Sequence, residues 1–217
     1  MVLCLTFICS ASFAQYWDNH DTQVSLSING GSAVSFFQLK PANSNLISNS
    51  VNFVGYLGAS LDFKINNYFS ISPALALAGK GAQVEELSGQ FGATATESYE
   101  LYYLQGAVSF IFHIPLGNQA NIFLGTGPFY GRSIFGTSKI NDNGDENDGG
   151  VKFGNGGDFK NIDYGVTSVI GFQTEKGYIF GLNFDFGLPN IHQANTYYLS
   201  NDQIRTRTFY ISIGKSF

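Results

Sequence analysis

Charge is scarce in this chain. Asp, Glu, Lys and Arg make up 12% of its 217 residues, against about 25% in an ordinary soluble domain. The 11 basic residues are outnumbered by 16 acidic ones and the net charge is −5. Phosphate neutralisation needs clustered Lys and Arg, so no nucleic-acid partner is expected. Long apolar runs are also missing. From Gln15 onward no stretch reaches the ~18 residues of a membrane-spanning helix. Cysteine stops at Cys9: Cys4 and Cys9 are the two in the chain, which leaves the rest without a disulfide, a thiol nucleophile or a cysteine metal site. What is plentiful is aromatic and small. Aromatics reach 16%, with 21 Phe and 12 Tyr, and Gly numbers 26. That composition excludes a disordered chain.

Val2 to Phe13 is mostly apolar and closes with Ser12-Phe13-Ala14 before Gln15. This is the length of a signal-peptide core followed by small residues at the −3 and −1 positions, and cleavage is expected between Ala14 and Gln15. The run is too short to span a bilayer, which needs ~20 residues. No Lys or Arg precedes it, a departure that a start upstream of Met1 would explain. The residues before Cys9 (Thr6, Phe7, Ile8) are not the small ones that lipoprotein processing prefers. The expected organisation is a leader, 1–14, and one exported domain, 15–217.

Past the leader the chain alternates with a period of two, the signature of strands with one apolar side. Val51, Phe53, Leu57, Leu61, Phe63 and Ile65 fall on one face, opposite Asn52, Tyr56, Ser60, Asp62 and Lys64. Phe69, Ile71, Leu75 and Leu77 oppose Ser70, Ser72, Ala74, Ala76, Ala78 and Lys80. Tyr102, Leu104, Val108, Phe110 and Phe112 oppose Tyr103, Gln105, Ala107, Ser109 and His113; Tyr164, Val166, Ile170 and Phe172 oppose Asp163, Thr167 and Gln173. Tyr178, Phe180, Leu182, Phe184, Phe186 and Leu188 oppose Gly181, Asn183, Asp185 and Gly187. Further strands around Gln23–Ser35, Asn121–Arg132 and Thr206–Phe217 bring the expected total to eight, with a bulge at Gly30-Gly31 in the first.

Connections alternate in length. Ile65–Tyr68, Pro115–Ala120 and Thr174–Gly177 are short; Phe36–Ser50, Gly81–Glu97, Ile134–Lys160 and Pro189–Ile204 read as long loops rich in Asn, Ser, Gly and acidic residues. Three short turns and four long loops fit an all-β, eight-stranded antiparallel up-and-down transmembrane barrel with both termini on the short-turn side.

Alternation also fits a soluble, lipocalin-like barrel with its apolar side inside. The polar face argues against that, because it carries Gly, Ala, Ser, Asn and Gln rather than a water-facing coat of Lys and Glu. Tyr68-Phe69, Tyr102-Tyr103 and Tyr197-Tyr198 stand near strand ends, where interfacial aromatic girdles sit. The reading is apolar side out, with Asp62, Lys64, Lys80, Gln105, Asp163, Asn183 and Asp185 facing a narrow lumen that eight strands leave just wide enough for side chains.

In sequence order, Leu61-Asp62-Phe63-Lys64-Ile65-Asn66-Asn67-Tyr68-Phe69-Ser70-Ile71-Ser72-Pro73, Tyr102-Tyr103-Leu104, Leu124-Gly125-Thr126-Gly127-Pro128-Phe129, Asp163-Tyr164-Gly165 with Gly171, and Phe186-Gly187-Leu188-Pro189-Asn190-Ile191 resemble segments of the PorT-like outer-membrane β-barrel proteins of the Bacteroidota. The resemblance implies an integral outer-membrane barrel. It also raises an accessory role beside a protein-secretion complex, since one branch is tied to secretion and gliding. The ending Ser212-Ile213-Gly214-Lys215-Ser216-Phe217 is similar to the C-terminal signal of outer-membrane proteins, with Gly214 and the terminal Phe217 read by the barrel-assembly machinery. Expected partners are therefore outer-membrane lipid, that machinery during insertion, and secretion-complex proteins.

Chemistry-bearing residues are few. His20, His113 and His192 are the only histidines. His192, Ser200 and Asp202 share a loop in which a rim-sited lipid enzyme would place its groups, although each is also an ordinary loop residue. The stretch Asn141–Gly150 carries oxygen ligands of the kind calcium uses, but Gly144 and Asn147 stand where an EF-hand loop has a ligand and its turn glycine, and a solvated flexible loop is the plainer reading. No catalytic residue, cofactor or metal is expected. A non-enzymatic structural or interaction protein leads, ahead of a small channel and a lipid-modifying enzyme.

Overall fold

The computed structural model describes residues 24–40, 46–88, 93–116, 120–142, 145–193 and 203–217. These form ten strands: β1 (Val24–Lys40), β2 (Leu46–Ser50), β3 (Asn52–Lys64), β4 (Phe69–Ser88), β5 (Ala93–Pro115), β6 (Asn121–Asp142), β7 (Asp145–Gly150), β8 (Ile162–Gln173), β9 (Tyr178–Gly187) and β10 (Gln203–Ser216). Eight of them close a ring in the order β1-β3-β4-β5-β6-β8-β9-β10, every pair antiparallel and β10 returning to β1. Closure satisfies the strand N–H and C=O groups without water, the condition a hydrocarbon core imposes. Among the described residues no helix is long and apolar enough to cross a membrane.

Alternation aims the side chains. Phe53, Leu57, Leu75, Phe110, Ile211 and Ile213 stand exposed on the outer wall. Ser70, Lys80, Gln105, Asp163 and Asp185 are buried within. Aromatics mark two levels of the outer wall. Tyr68 and Phe69 flank Phe112 at the short-turn end, where Lys215 also lies over the Tyr178 and Phe217 rings. Tyr102 stacks on Phe135 at the other level, ring centroids 4.6 Å apart.

Two expectations need correction. The register of β1 runs unbroken through Gly30-Gly31 against both β10 and β3, so there is no bulge there. Gly31 is needed for close approach instead: a Cβ on it would lie 1.8 Å from the Ile211 carbonyl oxygen. Register shifts occur at Tyr102/Tyr103 against β6 and between Leu46 and Ser48 in β2. The second correction concerns the segments read as long loops. β1 continues to Lys40, β4 to Ser88, and β5 begins at Ala93. β6 runs to Asp142 and forms a hairpin with β7, pairing Lys139 with Asp148 and Asn141 with Glu146. Strands of 20 to 23 residues in β4, β5 and β6 exceed the ~10 residues that cross a bilayer. The excess of roughly 10–13 residues projects ~33–43 Å of strand, at ~3.3 Å per residue, past the length that crosses a bilayer.

Candidate functional site

The lumen has three layers, two of them filled, each built by the inward positions of several strands. The outermost is apolar. Phe37 from β1, Val84 from β4, Tyr99 and Leu101 from β5 and Ile204 from β10 are buried together with Phe159 and Ile191. Phe159 belongs to the segment after β7, which folds back across the mouth: Asp158 and Phe159 donate their backbone N–H groups to the Lys152 carbonyl, and Lys160 donates to the Ile191 carbonyl. The Phe159 ring meets Tyr99 edge-on at 5.1 Å and lies 5.9 Å from Phe37.

Below this plug sits a buried charge cluster. Lys80 Nζ donates to Asp163 Oδ2 at 2.8 Å and lies 3.8 Å from Asp185 Oδ2. It also stands 4.1 Å from the centre of the Phe129 ring. Thr206 Oγ1 donates to Asp163 Oδ2 at 2.7 Å. Asp185 Oδ2 accepts from Gln105 Nε2 at 2.7 Å and from the Tyr210 hydroxyl at 3.0 Å. A desolvated ammonium is tolerated only with such company. Gly187 makes the room, since a Cβ there would lie 2.1 Å from Thr206 Oγ1 and 2.8 Å from Asp163 Oδ1.

The innermost layer is a polar cavity of about 140 Å³ reaching from Asp185, Gln105 and Tyr210 down to Ser25, Gln173 and Ser216 at the short-turn rim. At its side Ser70 Oγ donates to Asp62 Oδ1 at 2.6 Å and lies 2.8 Å from His113 Nε2, while His113 Nδ1 is 3.2 Å from Asn121 Oδ1. Asn183 Nδ2 donates to Ser212 Oγ at 3.3 Å. Lys64 pairs in register with Ser70 near the rim and is half-buried.

An eight-stranded antiparallel ring, apolar outside and polar within, is the architecture of an outer-membrane barrel. The family described as Outer membrane protein beta-barrel domain matches residues 13–193. The chain belongs to that family. The barrel is accordingly an integral outer-membrane protein, porin-like in architecture, with short turns on the periplasmic side and the long strand extensions outside. It is similar in fold to the outer membrane protein OprG from Pseudomonas aeruginosa, at 13% identity over 90% of this chain and 97% of that one, TM-score 0.47. It is also similar to Ail, the attachment invasion locus protein of Yersinia pestis, at 13% identity over 90% and 99% of the two chains, TM-score 0.41. A third likeness is the Neisserial surface protein A, at 9% identity over 89% and 97%, TM-score 0.40. No curated protein matches the sequence.

The barrel thus brings Lys80, Gln105, Asp163 and Asp185 into one cluster and leaves Asp62, Lys64 and Asn183 apart from it. Tyr103, grouped in sequence with the girdle, points inward and is fully buried, whereas Tyr102 faces out. His192 is buried beside the plug, where its backbone N–H donates to Asn190 Oδ1. Its supposed companions Ser200 and Asp202 lie outside the described residues, as do His20, Tyr197-Tyr198 and the Ala14–Gln15 junction. The stretch Asn141–Gly150 is largely the β6–β7 hairpin rather than a loose loop, and among the described residues no group of three His, Cys, Asp or Glu is placed to hold a metal. Sequence reasoning missed the apolar plug. Its one legible signal was the alternation of Ala33, Ser35 and Phe37, carried past Ser35.

Proposed function

We propose that the barrel is a closed, non-enzymatic outer-membrane protein that works by contact rather than by conduction. The observation that carries this reading is the obstruction of the lumen at two levels, by the Phe37–Tyr99–Phe159 plug and by the Lys80–Asp163–Asp185 cluster. The part offered to a partner is the outer sheet β2-β4-β5-β6-β7, whose sequence beyond the Tyr102–Phe135 girdle is acidic, with Glu85, Glu86, Glu100, Asp142, Asp145, Glu146 and Asp148 against Lys139. That imbalance favours a partner with a basic surface. The PorT-like resemblance supports an accessory place beside a secretion complex. Within the same proposal, export depends on removal of residues 1–14 and assembly on Gly214 and Phe217.

Conductance of the purified protein in planar lipid bilayers tests the closed lumen: near silence is expected, and stable single-channel steps would replace this reading with that of a small channel. Affinity capture from detergent-solubilised outer membranes tests the contact role. Retention of a stoichiometric partner by the wild type, lost when residues 138–149 are replaced by a short turn, is the expected result. Capture of nothing, together with unchanged secretion in a deletion strain, would remove the accessory role.

A further inference from the structure

One part of the outer wall does not suit hydrocarbon. β8 is 12 residues long, close to the ~9–11 that cross a bilayer, so Ile162 and its register partner on β6, Arg132, stand where the outer end of the span meets the headgroups. Arg132 is exposed, and its neighbours on that wall are Leu104 on β5, Ile162 on β8, and Tyr130 and Ile134 on its own strand, all exposed as well. The ladder continues one step past Arg132, with the Ser133 N–H donating to the Asn161 carbonyl. Alternation then aims the exposed Lys160 outward, opposite Ile134, while Phe159 turns in. Arg132 and Lys160 are thereby diagonal neighbours on adjacent strands, ~7–8 Å apart at the backbone, and their long side chains can converge on one point.

Neither cation is neutralised by the protein. Among the described residues the ion pairs are those of Lys80 with Asp163 and Asp185 and of His113 with Asp62. Arg207, also on the outer wall, shows the alternative: its guanidinium donates to the Gly187 and Thr206 carbonyls and to the Gln38 side chain, and it lies over the Phe186 ring. The side chains of Arg132 and Lys160 have no such company among the described residues. Charge on a lipid-facing wall is tolerated where it can reach headgroups and is costly below them.

We propose that Arg132 and Lys160 form a clamp for the phosphate of an outer-leaflet lipid headgroup, with the acyl chains of that lipid lying along Leu104, Tyr130, Ile162 and Tyr164. The planar guanidinium matches a phosphate with two parallel N–H···O bonds, and the Lys ammonium adds a point charge beside it. Two cations together suit a phosphate monoester, which carries about −1.5 to −2 at neutral pH. A zwitterionic headgroup brings its own cation and cancels the attraction. Free phosphate has the charge but gains nothing from the apolar wall below, so the lipid is the favoured occupant. The clamp faces the membrane rather than the lumen and does not depend on the lumen being closed.

The test is native mass spectrometry of the folded full chain released from detergent micelles that hold equal amounts of dioleoylphosphatidic acid and dioleoylphosphatidylcholine. Retention of one phosphatidic acid per barrel is expected, preferred over phosphatidylcholine by about tenfold, the effect of one charge-assisted contact. The double variant Arg132→Gln with Lys160→Gln is expected to abolish the preference. Lys139→Gln with Lys176→Gln removes the same charge elsewhere and is expected to keep it. Should the first double variant fail to fold, Lys160→Gln alone, beyond the span, is expected to lose severalfold. Millimolar inorganic phosphate is expected to leave the lipid in place. Equal retention of the two lipids, wild-type preference in the folded clamp variant, or an equal loss in the Lys139 and Lys176 control would each overturn the proposal. Displacement of the lipid by inorganic phosphate would overturn it as well, by assigning the clamp to the free ion.

Discussion

Lys80 is the residue on which the inner core turns. Its charge is desolvated completely and matched within hydrogen-bond reach by Asp163, so replacing it with Met strands two carboxylates in a dry environment. Removing one partner of a buried ion pair costs ~3–5 kcal/mol. The K80M barrel is expected to unfold in urea with a loss of about that size, followed by circular dichroism in detergent, and adding D163N and D185N should recover most of it. Recovery would show that the loss is the uncompensated charge rather than the missing side chain. Glu97 offers a different test, because it sits on β5 beyond the Tyr102–Phe135 girdle and outside the hydrocarbon. Burial pushes its carboxyl above the ordinary 4.5, a hydrogen bond from Tyr99 opposes that rise, and Asp158 adds to it. A raised folded value means the outer end is favoured with Glu97 protonated. That contribution is complete below the ordinary value and is lost as pH rises through the elevated one. Thermal stability measured across that interval should fall more steeply with pH in the wild type than in E97Q.

At the scale of elements, the facing of each strand follows from its period, and its length does not. Leu57, Ile211 and Ile213 lie on the lipid side and are more than half exposed on the isolated chain. A charge on the lipid face near the midplane costs ~2–4 kcal/mol, so Ile211→Arg should lower folding yield into lipid vesicles far more than Ser109→Arg on the inner face of β5 would by the same solvation argument. Gly31→Val tests closure: its Cβ would meet the Ile211 carbonyl, and a failure of β1 to seal on β10 should appear as loss of the compact, heat-shifted band on gels. The outer halves of β4, β5 and β6 were illegible because they look like loops in composition. Ser, Gly, Asn and acidic residues are acceptable in strands that leave the membrane for water, and only neighbouring strands hold them extended. The dipeptide Asn143-Gly144 between β6 and β7 is a hairpin signature and could have revealed that pair.

For the molecule as a whole, the apolar wall is the governing fact. Purified without detergent, the barrel is expected to aggregate, and light scattering showing a monodisperse species in plain buffer would refute lipid contact by that wall. The plug adds a second whole-molecule expectation. Replacing residues 152–160 by a short glycine linker removes Phe153 and Phe159 and should leave conductance near silent, because the Lys80 cluster still fills the ring. Measurable current in that variant, absent from the wild type, would place the barrier in the plug.

Period-two alternation, the scarcity of charge and the spacing of short turns were enough to define an eight-stranded ring with its apolar side in lipid, because facing is a local property of extended chain. The inward position of Asp163 and Asp185 followed from the same parity. Their company did not. Lys80 on β4, Gln105 on β5, Asp163 on β8, Asp185 on β9 and Thr206 on β10 meet only when the ring closes at one register, and Phe37 meets Phe159 only because the chain after β7 folds back over the mouth. Both are contacts between distant parts of the sequence, and strand pairing decides them.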